Sequence, residues 1–293
     1  MNDHQKKPDA SLAVLMILFL VTQICALWIT RPFHQGGMEA FENPDDPFNI
    51  LYYIVIILIF TGVILYIAKK GKDILIRSLI LVIFSITVFY LFHALLSLFI
   101  SPEIYALAGG LIITLIIAIL LVFYPEWYIV DATGILVASG IIAIFGISLT
   151  VPLVILLLTL LAIYDAISVY KTKHMIDLGD TILKFHLPML LVIPKKWGYS
   201  FRTEKDFSGK KNAIFIGLGD FIIPGILAAS VFHFGESLIT ALACILGSVT
   251  GLALLMILAK SGKPQAGLPW LNGGALAGYL ISSALLGELI GFV

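Results

Sequence analysis

Long runs of apolar residues, separated by short polar segments, dominate the chain. A helix that crosses a bilayer needs about 20 mostly apolar residues, whereas the strands of a membrane barrel alternate in polarity over about 10 residues. The pattern therefore predicts an all-α membrane protein with nine transmembrane helices. The predicted spans are residues 11–30, 50–68, 74–100, a fourth that ends at 124, 128–148, 151–170, 214–234, 237–259 and 270–292.

The composition supports a membrane protein and excludes several other classes. Of the 293 residues, 60% are hydrophobic and 12% are charged, whereas soluble domains are about 25% charged. These values exclude a soluble globule, a disordered chain and a nucleic-acid-binding protein. Acidic and basic residues number 18 each, so no net charge attracts an anionic partner. Cys25 and Cys244 lie inside apolar runs and form neither a disulfide framework nor a metal-binding pattern, and we expect no metal and no cofactor.

The basic residues set the predicted orientation, because cytoplasmic loops are enriched in Lys and Arg. With the N-terminus in the cytoplasm, every Lys and Arg except Arg31 falls on the cytoplasmic side. The C-terminus is then outside, and the number of spans must be odd. We expect the first span to be retained, since no small-residue cleavage site follows it.

Ionisable residues inside apolar runs are costly in a membrane, so each needs an explanation. Arg77, Asp131 and Glu288 lie near the ends of their spans, and we expect each to reach the nearest interface. Asp165 and Asp220 are instead flanked by apolar residues on both sides. Counting 1.5 Å per residue from the cytoplasmic ends of spans six and seven places both carboxyls about 9–11 Å below the same surface.

Two carboxyls at one depth can meet if their helices are neighbours. Like charges so close cannot both ionise, so the pair shares a proton. One member then acts as a base and the other as an acid, which suits peptide hydrolysis by an activated water. A proton-bridged pair that only ties two helices together is the alternative. Gly217 and Gly219, with Pro224 one turn later, predict a loose helix that admits water and a peptide, or else ordinary small-residue packing.

Three short motifs follow one another along the chain. They are Tyr164-Asp165 in span six, Gly217-Leu218-Gly219-Asp220 in span seven, and Gln265-Ala266-Gly267-Leu268-Pro269 before span nine. With the nine spans, they resemble the presenilin and signal peptide peptidase family of intramembrane aspartyl proteases, whose motifs are YD, GxGD and PAL. The resemblance covers the whole chain, which looks like a prokaryotic presenilin homologue.

The resemblance implies that the two motif aspartates are the catalytic pair and that the PAL-like residues help to seat the substrate. Ala266 and Gly267 depart from the family's Pro and Ala, whereas Leu268 and the following Pro269 agree with it. Presenilins share the predicted cytoplasmic N-terminus, which implies substrates with their N-terminus outside (type I). The expected setting is the plasma membrane of a prokaryote, with the lipid bilayer and transmembrane substrates as partners, no nucleic acid, and a homo-oligomer left open.

The predicted organisation has three parts. Residues 1–170 hold six spans and the first acid, 171–213 form a cytoplasmic loop, and 214–293 hold three spans, the second acid and the PAL-like motif. The loop contains an apolar stretch, 182–193, that is too short to span. Its β-prone half, 189–193, is expected to lie near the acids and pair with an extended substrate, or else the stretch lies on the bilayer surface. By resemblance, this loop is also a candidate for self-cleavage.

The main rival function is a proton-coupled transporter or a cation leak channel, since these also use paired intramembrane acids. Nine spans do not divide into two inverted repeats, and the sequence shows no internal repeat, which disfavours a transporter. The chain contains neither HExxH nor GxSG, which disfavours the zinc and serine classes of intramembrane protease.

Overall fold

The computed structural model describes residues 10–172, 189–195, 198–203, 212–235, 237–259 and 265–287. Within these ranges the fold is nine α-helices, as predicted, and one two-stranded sheet between the sixth and seventh helices. In chain order the elements are α1 (Ala10–Gln35), α2 (Phe48–Lys69), α3 (Asp73–Ser97), α4 (Glu103–Phe123), α5 (Trp127–Ser148), α6 (Val151–Ile167), β1 (Leu190–Pro194), β2 (Ala213–Gly217), α7 (Leu218–Phe234), α8 (Leu238–Ala259) and α9 (Leu268–Leu286).

Most helices match the predicted spans, because their lengths follow the apolar runs. Six helical segments of the described chain are long and apolar enough to cross a membrane. Five of them are α1, α3, α4, α5 and α8, and the sixth is α6 together with the helical residues that continue it to Lys171. α2 and α7 contain shorter apolar stretches. α1 continues through Pro32 to Gln35, past its predicted end, and α9 begins at Leu268, before its predicted start. The predicted end of the ninth span, with Glu288, lies outside the described residues.

The seventh span begins differently from the prediction. Residues Ala213–Gly217 form β2, and the helix begins only at Leu218. A five-residue apolar strand and one turn of an apolar helix have the same sequence pattern, which is why 214–234 was expected to be one helix. The 17 residues of α7 are about 26 Å long, which is short of a hydrocarbon core of about 30 Å.

The two strands pair antiparallel, with Leu190 opposite Gly217 and Pro194 opposite Ala213. Main-chain hydrogen bonds just beyond both ends close the ladder. The run that the sequence marks as β-prone is therefore a strand of this sheet. Residues 182–188 of the same apolar stretch lie outside the described part of the chain.

The first strand, β1, is enclosed inside the helix bundle. Leu191 and Ile193 are fully buried among apolar residues of α1, α7, α8 and α9, whereas Val192, on the opposite face, packs against residues of α4 and α5. The expectation that this segment lies on the bilayer surface is therefore wrong for β1. Burial on both faces holds the strand at a fixed position beside the start of α7.

α8 and α9 approach each other closely through glycines. A side chain at Gly247 would collide with the main chain of Gly274, and one at Gly251 would collide with that of Trp270. Small residues allow helices to pack at this distance in membranes, so the GxxxG spacing in α8 is a packing motif. The contact fixes the position of α9, whose first residues reach the two aspartates.

Candidate active site

Asp165 lies near the end of α6 and points toward the start of α9. Its side chain is 7% exposed, and Oδ2 accepts a hydrogen bond of 3.0 Å from the N–H of Leu268. The first N–H groups of a helix have no partner within the helix, and they favour a negative charge. Asp165 therefore satisfies the N-terminus of α9, which in turn holds the carboxyl in place.

The turn that follows Asp165 is wider than an α-helical turn. Residues Ser168–Thr172 form a π-helix, a rare conformation that is often found at functional sites. The hydroxyl of Tyr170, in this π-helix, donates to Oε1 of Gln265 at 3.1 Å and accepts the N–H of Ala266 at 3.4 Å. The end of α6 is thus tied to the PAL-like segment, a contact that sequence reasoning missed because the two partners are far apart in the chain.

Asp220 lies in the first turn of α7, directly after β2. The sequence predicted an irregular backbone here. The irregularity is the junction between β2 and α7, and not a loosened helix. Gly267 borders the carboxyl so closely that an added Cβ would lie 2.9 Å from Oδ2 of Asp220, and a Cβ on Gly217 would lie 3.8 Å from the same atom. Glycine at position 267 therefore leaves the space that the carboxyl of Asp220 occupies.

The two aspartates meet at one short piece of main chain. Leu268 donates its N–H to Asp165, and its neighbour Gly267 lies against Asp220. The two carboxyls therefore border consecutive residues of the same main-chain segment. The structure thus brings together four of the sequence-predicted residues, including both acids, at the place where α6, α7 and α9 converge.

The remaining predicted residues surround this point unequally. Leu218 is buried, and its N–H donates to the carbonyl of Met189 at 3.0 Å, which joins α7 to the sheet. Ala266 is fully buried, and Pro269 lies in the first turn of α9. Gly219 is exposed, and a Cβ there would meet no described atom within 4 Å. Tyr164 is half-buried and makes no hydrogen bond within the described chain, so the geometry assigns it no role.

Asp131 turns into the protein interior, contrary to the expectation that it faces the nearest interface. It is 4% exposed, and its Oδ1 accepts the N–H of Val192 in β1 at 2.8 Å. The sequence contained the two parts of this contact, an acid inside span five and a β-prone segment whose main chain needs partners. Nothing in the spacing of the residues showed that the two parts meet.

Gln23 of α1 supports the first turn of α7 in a similar way. Its Nε2 donates to the carbonyl of Phe221 at 2.8 Å, directly after Asp220. Gly225 leaves the space for this side chain, since a Cβ there would collide with Gln23. Gln23 was not among the predicted site residues, because a single amide in a first span gives no functional signal.

Comparison with known proteins finds one family over almost the whole chain. A family model described as "Signal-peptide peptidase, presenilin aspartyl protease" matches residues 16–288. Two solved structures, both of a presenilin family intramembrane aspartate protease in different crystal forms, are similar over almost the whole chain. One is 35% identical with a TM-score of 0.69, covering 94% of this chain and 98% of the other. The second is 37% identical with a TM-score of 0.71, covering 92% of this chain and 96% of the other.

The comparison with curated proteins gave no match. The family model nevertheless covers nearly the full chain, and both structural matches cover more than nine-tenths of it. The chain therefore belongs to the signal-peptide peptidase and presenilin family, and it is an intramembrane aspartyl protease.

Proposed function

We propose that Asp165 and Asp220 are the catalytic pair with which this protease cuts peptide bonds inside the transmembrane segments of other proteins. The observation that carries this assignment is the contact of both carboxyls with the Gly267–Leu268 main chain. These two acids come from different helices, and both lie within the apolar bundle. Their closeness favours a pair that holds one proton, with one group ready to accept a proton and the other to donate one.

In the proposed reaction, the ionised carboxyl removes a proton from a water molecule, and the water oxygen attacks the peptide carbonyl carbon. The protonated carboxyl donates its hydrogen to the carbonyl oxygen, which gives a neutral tetrahedral intermediate. The C–N bond then breaks as the carboxyl that took the water proton passes it to the nitrogen, and one hydroxyl of the intermediate returns its proton to the other carboxylate. The products are a carboxylic acid and an amine, and the pair again holds one proton. The N–H of Leu268 holds Asp165 in a fixed orientation during these transfers.

The substrate must be extended where it is cut, because an intact helix keeps its carbonyls in its own hydrogen bonds. We place the extended segment on β2, and not on the 189–193 run favoured by the sequence, because β1 is already paired with β2 and anchored by Asp131. Gly217 is opposite Leu190, at the end of β2 that leads into Asp220. Strand addition at this edge brings a peptide bond toward the aspartates.

We further propose that the N-terminus is cytoplasmic, that the C-terminus is outside, and that the substrates are type I proteins in the plasma membrane of a prokaryote. Support comes from the basic residues, which all fall on one side except Arg31. A transporter or a leak channel is not favoured, since neither structural match nor the family model indicates transport. Self-cleavage of the 171–213 loop stays a prediction, because most of that loop lies outside the described residues.

The decisive experiment uses the purified protein in liposomes with a type I transmembrane peptide, and the products are identified by mass spectrometry. Asp165→Asn and Asp220→Asn should each abolish cleavage, because neither amide can exchange a proton with water or substrate. Asp45→Asn, which changes an exposed loop carboxyl, is the matched control and should cut at the wild-type rate. Undiminished cleavage by either active-site variant, with unchanged thermal stability, would refute the assignment.

A further inference from the structure

Asp131 is a buried carboxyl that the proposed reaction does not use. It lies in the second turn of α5 and is 4% exposed. Its Oδ1 accepts the N–H of Val192 at 2.8 Å, and among the described residues Val192 is its single hydrogen-bond partner. An acid so near the end of a span could reach water by snorkelling. It is turned inward instead, onto a strand of the sheet that borders the active site.

The register of the sheet shows which edge of β1 this hydrogen bond occupies. In an antiparallel ladder, alternate residues direct their main-chain groups toward the partner strand and away from it. Met189 accepts a hydrogen bond from Leu218, so it faces the β2 side, whereas Val192 and Pro194 face away from β2. Pro194 has no N–H, and the N–H of Val192 is taken by Asp131. The outer edge of β1 is therefore closed through its middle and its end.

We propose that Asp131 is a positioning residue for proteolysis. By accepting the N–H of Val192, it fixes the position of β1 relative to α5. Because β1 is hydrogen-bonded to β2, the position of β2 is fixed as well, and β2 ends three residues before Asp220. With the outer edge of β1 closed, an incoming extended peptide has only the edge of β2 to pair with. This inference rests on the proposed strand addition of substrate. In it, Asp131 sets the register in which the substrate strand pairs with β2.

Three substitutions separate the roles of the hydrogen bond and of the charge. Asp131→Asn keeps an oxygen that can accept the Val192 N–H, whereas Asp131→Leu removes the acceptor. Val192→Pro removes the donor, and because this N–H faces away from β2, it leaves the ladder intact. Asp131→Asn should cleave like the wild type. Asp131→Leu and Val192→Pro should each lose about tenfold in kcat/KM, which corresponds to one lost buried hydrogen bond.

The position of the cut is the readout that a merely structural role would not change. A sheet that is no longer fixed allows the substrate to slip, and a slip of one residue exchanges the faces of a strand. Asp131→Leu and Val192→Pro should therefore spread the cleavage sites along the peptide. Ser139→Ala is the matched control, since it removes a buried hydrogen bond of α5 to the carbonyl of Thr22. It should lower the melting temperature without moving the cuts.

Each outcome decides the proposal. Wild-type kcat/KM and cut positions in Asp131→Leu would overturn it, and so would an Asp131→Asn variant as defective as Asp131→Leu. If Asp131→Leu fails to fold, Val192→Pro and amide hydrogen exchange at Val192 in Asp131→Asn give the same decision. A wild-type protein that cuts no transmembrane peptide would refute the proposed function instead. Amide hydrogen exchange at Val192, slow in the wild type and faster in Asp131→Leu, would then still show whether Asp131 anchors β1.

Discussion

Replacing Gly251 with alanine would insert one methyl group between α8 and α9, close to the active site. The new Cβ would lie 2.8 Å from the carbonyl carbon of Trp270 and 3.1 Å from Cα of Leu271. Carbon atoms in contact are about 3.5–4.0 Å apart, so α9 must move away by about 1 Å. A displacement of about 1 Å at reacting groups can cost about 100-fold in rate, and α9 carries the main chain that both aspartates contact. We expect kcat to fall by about 10- to 100-fold.

The stability of this variant should change far less than its rate. Overpacking costs about 1–3 kcal/mol, and the higher helix propensity of alanine offsets about 1 kcal/mol. Gly273→Ala is the matched control on α9, because a Cβ there meets no described atom within 4 Å. It should retain the wild-type kcat and melt at the same or a higher temperature. Cleavage of a transmembrane peptide in liposomes and thermal melting measure both quantities, and a wild-type kcat in Gly251→Ala would refute the reasoning.

Three further substitutions test contacts around the aspartates. Tyr170→Phe removes the hydroxyl that bonds Gln265, and kcat/KM, measured by steady-state cleavage kinetics, should fall about fivefold. Because this side chain is exposed, the melting temperature should stay unchanged. Gln23→Leu leaves the Phe221 carbonyl without this donor and should lower stability by about 1–2 kcal/mol, measured by thermal melting. Leu191→Pro removes an N–H that faces β2 and should abolish cleavage while circular dichroism still shows the helices; undiminished product by gel electrophoresis would show that the sheet is dispensable.

The sequence was sufficient to predict most of the spans and to single out the two acids as candidates, because both depend on local physics. An apolar run of about 20 residues has one stable form in a bilayer, and an isolated carboxyl in such a run needs a reason to be there. The matched depth of Asp165 and Asp220 followed from counting residues along two helices. Their meeting at Gly267 depends on the packing of α9, which residue counting alone does not give.

Contacts between distant segments were the part that could not be predicted. Asp131 was expected at the interface, because its depth in α5 was readable and its partner Val192 was not. The start of the predicted seventh span, which is β2 in the structure, was expected to be helical, since five apolar residues fit a strand and a helix equally well. Tyr170 gave no signal, because a tyrosine at the end of a span is more often an interfacial residue than a link to a loop.

The strand β2, directly before α7, has a consequence for how water reaches a reaction inside lipid. Strand main chain cannot face hydrocarbon, and at membrane depth it is tolerated only where protein or a hydrated cavity surrounds it. β2 leads directly to Asp220. The polar main chain of β2, which can pair with a peptide, can therefore also hydrogen-bond water near this acid. In a continuous helix these main-chain groups would be hydrogen-bonded to one another and would not attract water. Hydrolysis would then lack water, which is one of its two reactants.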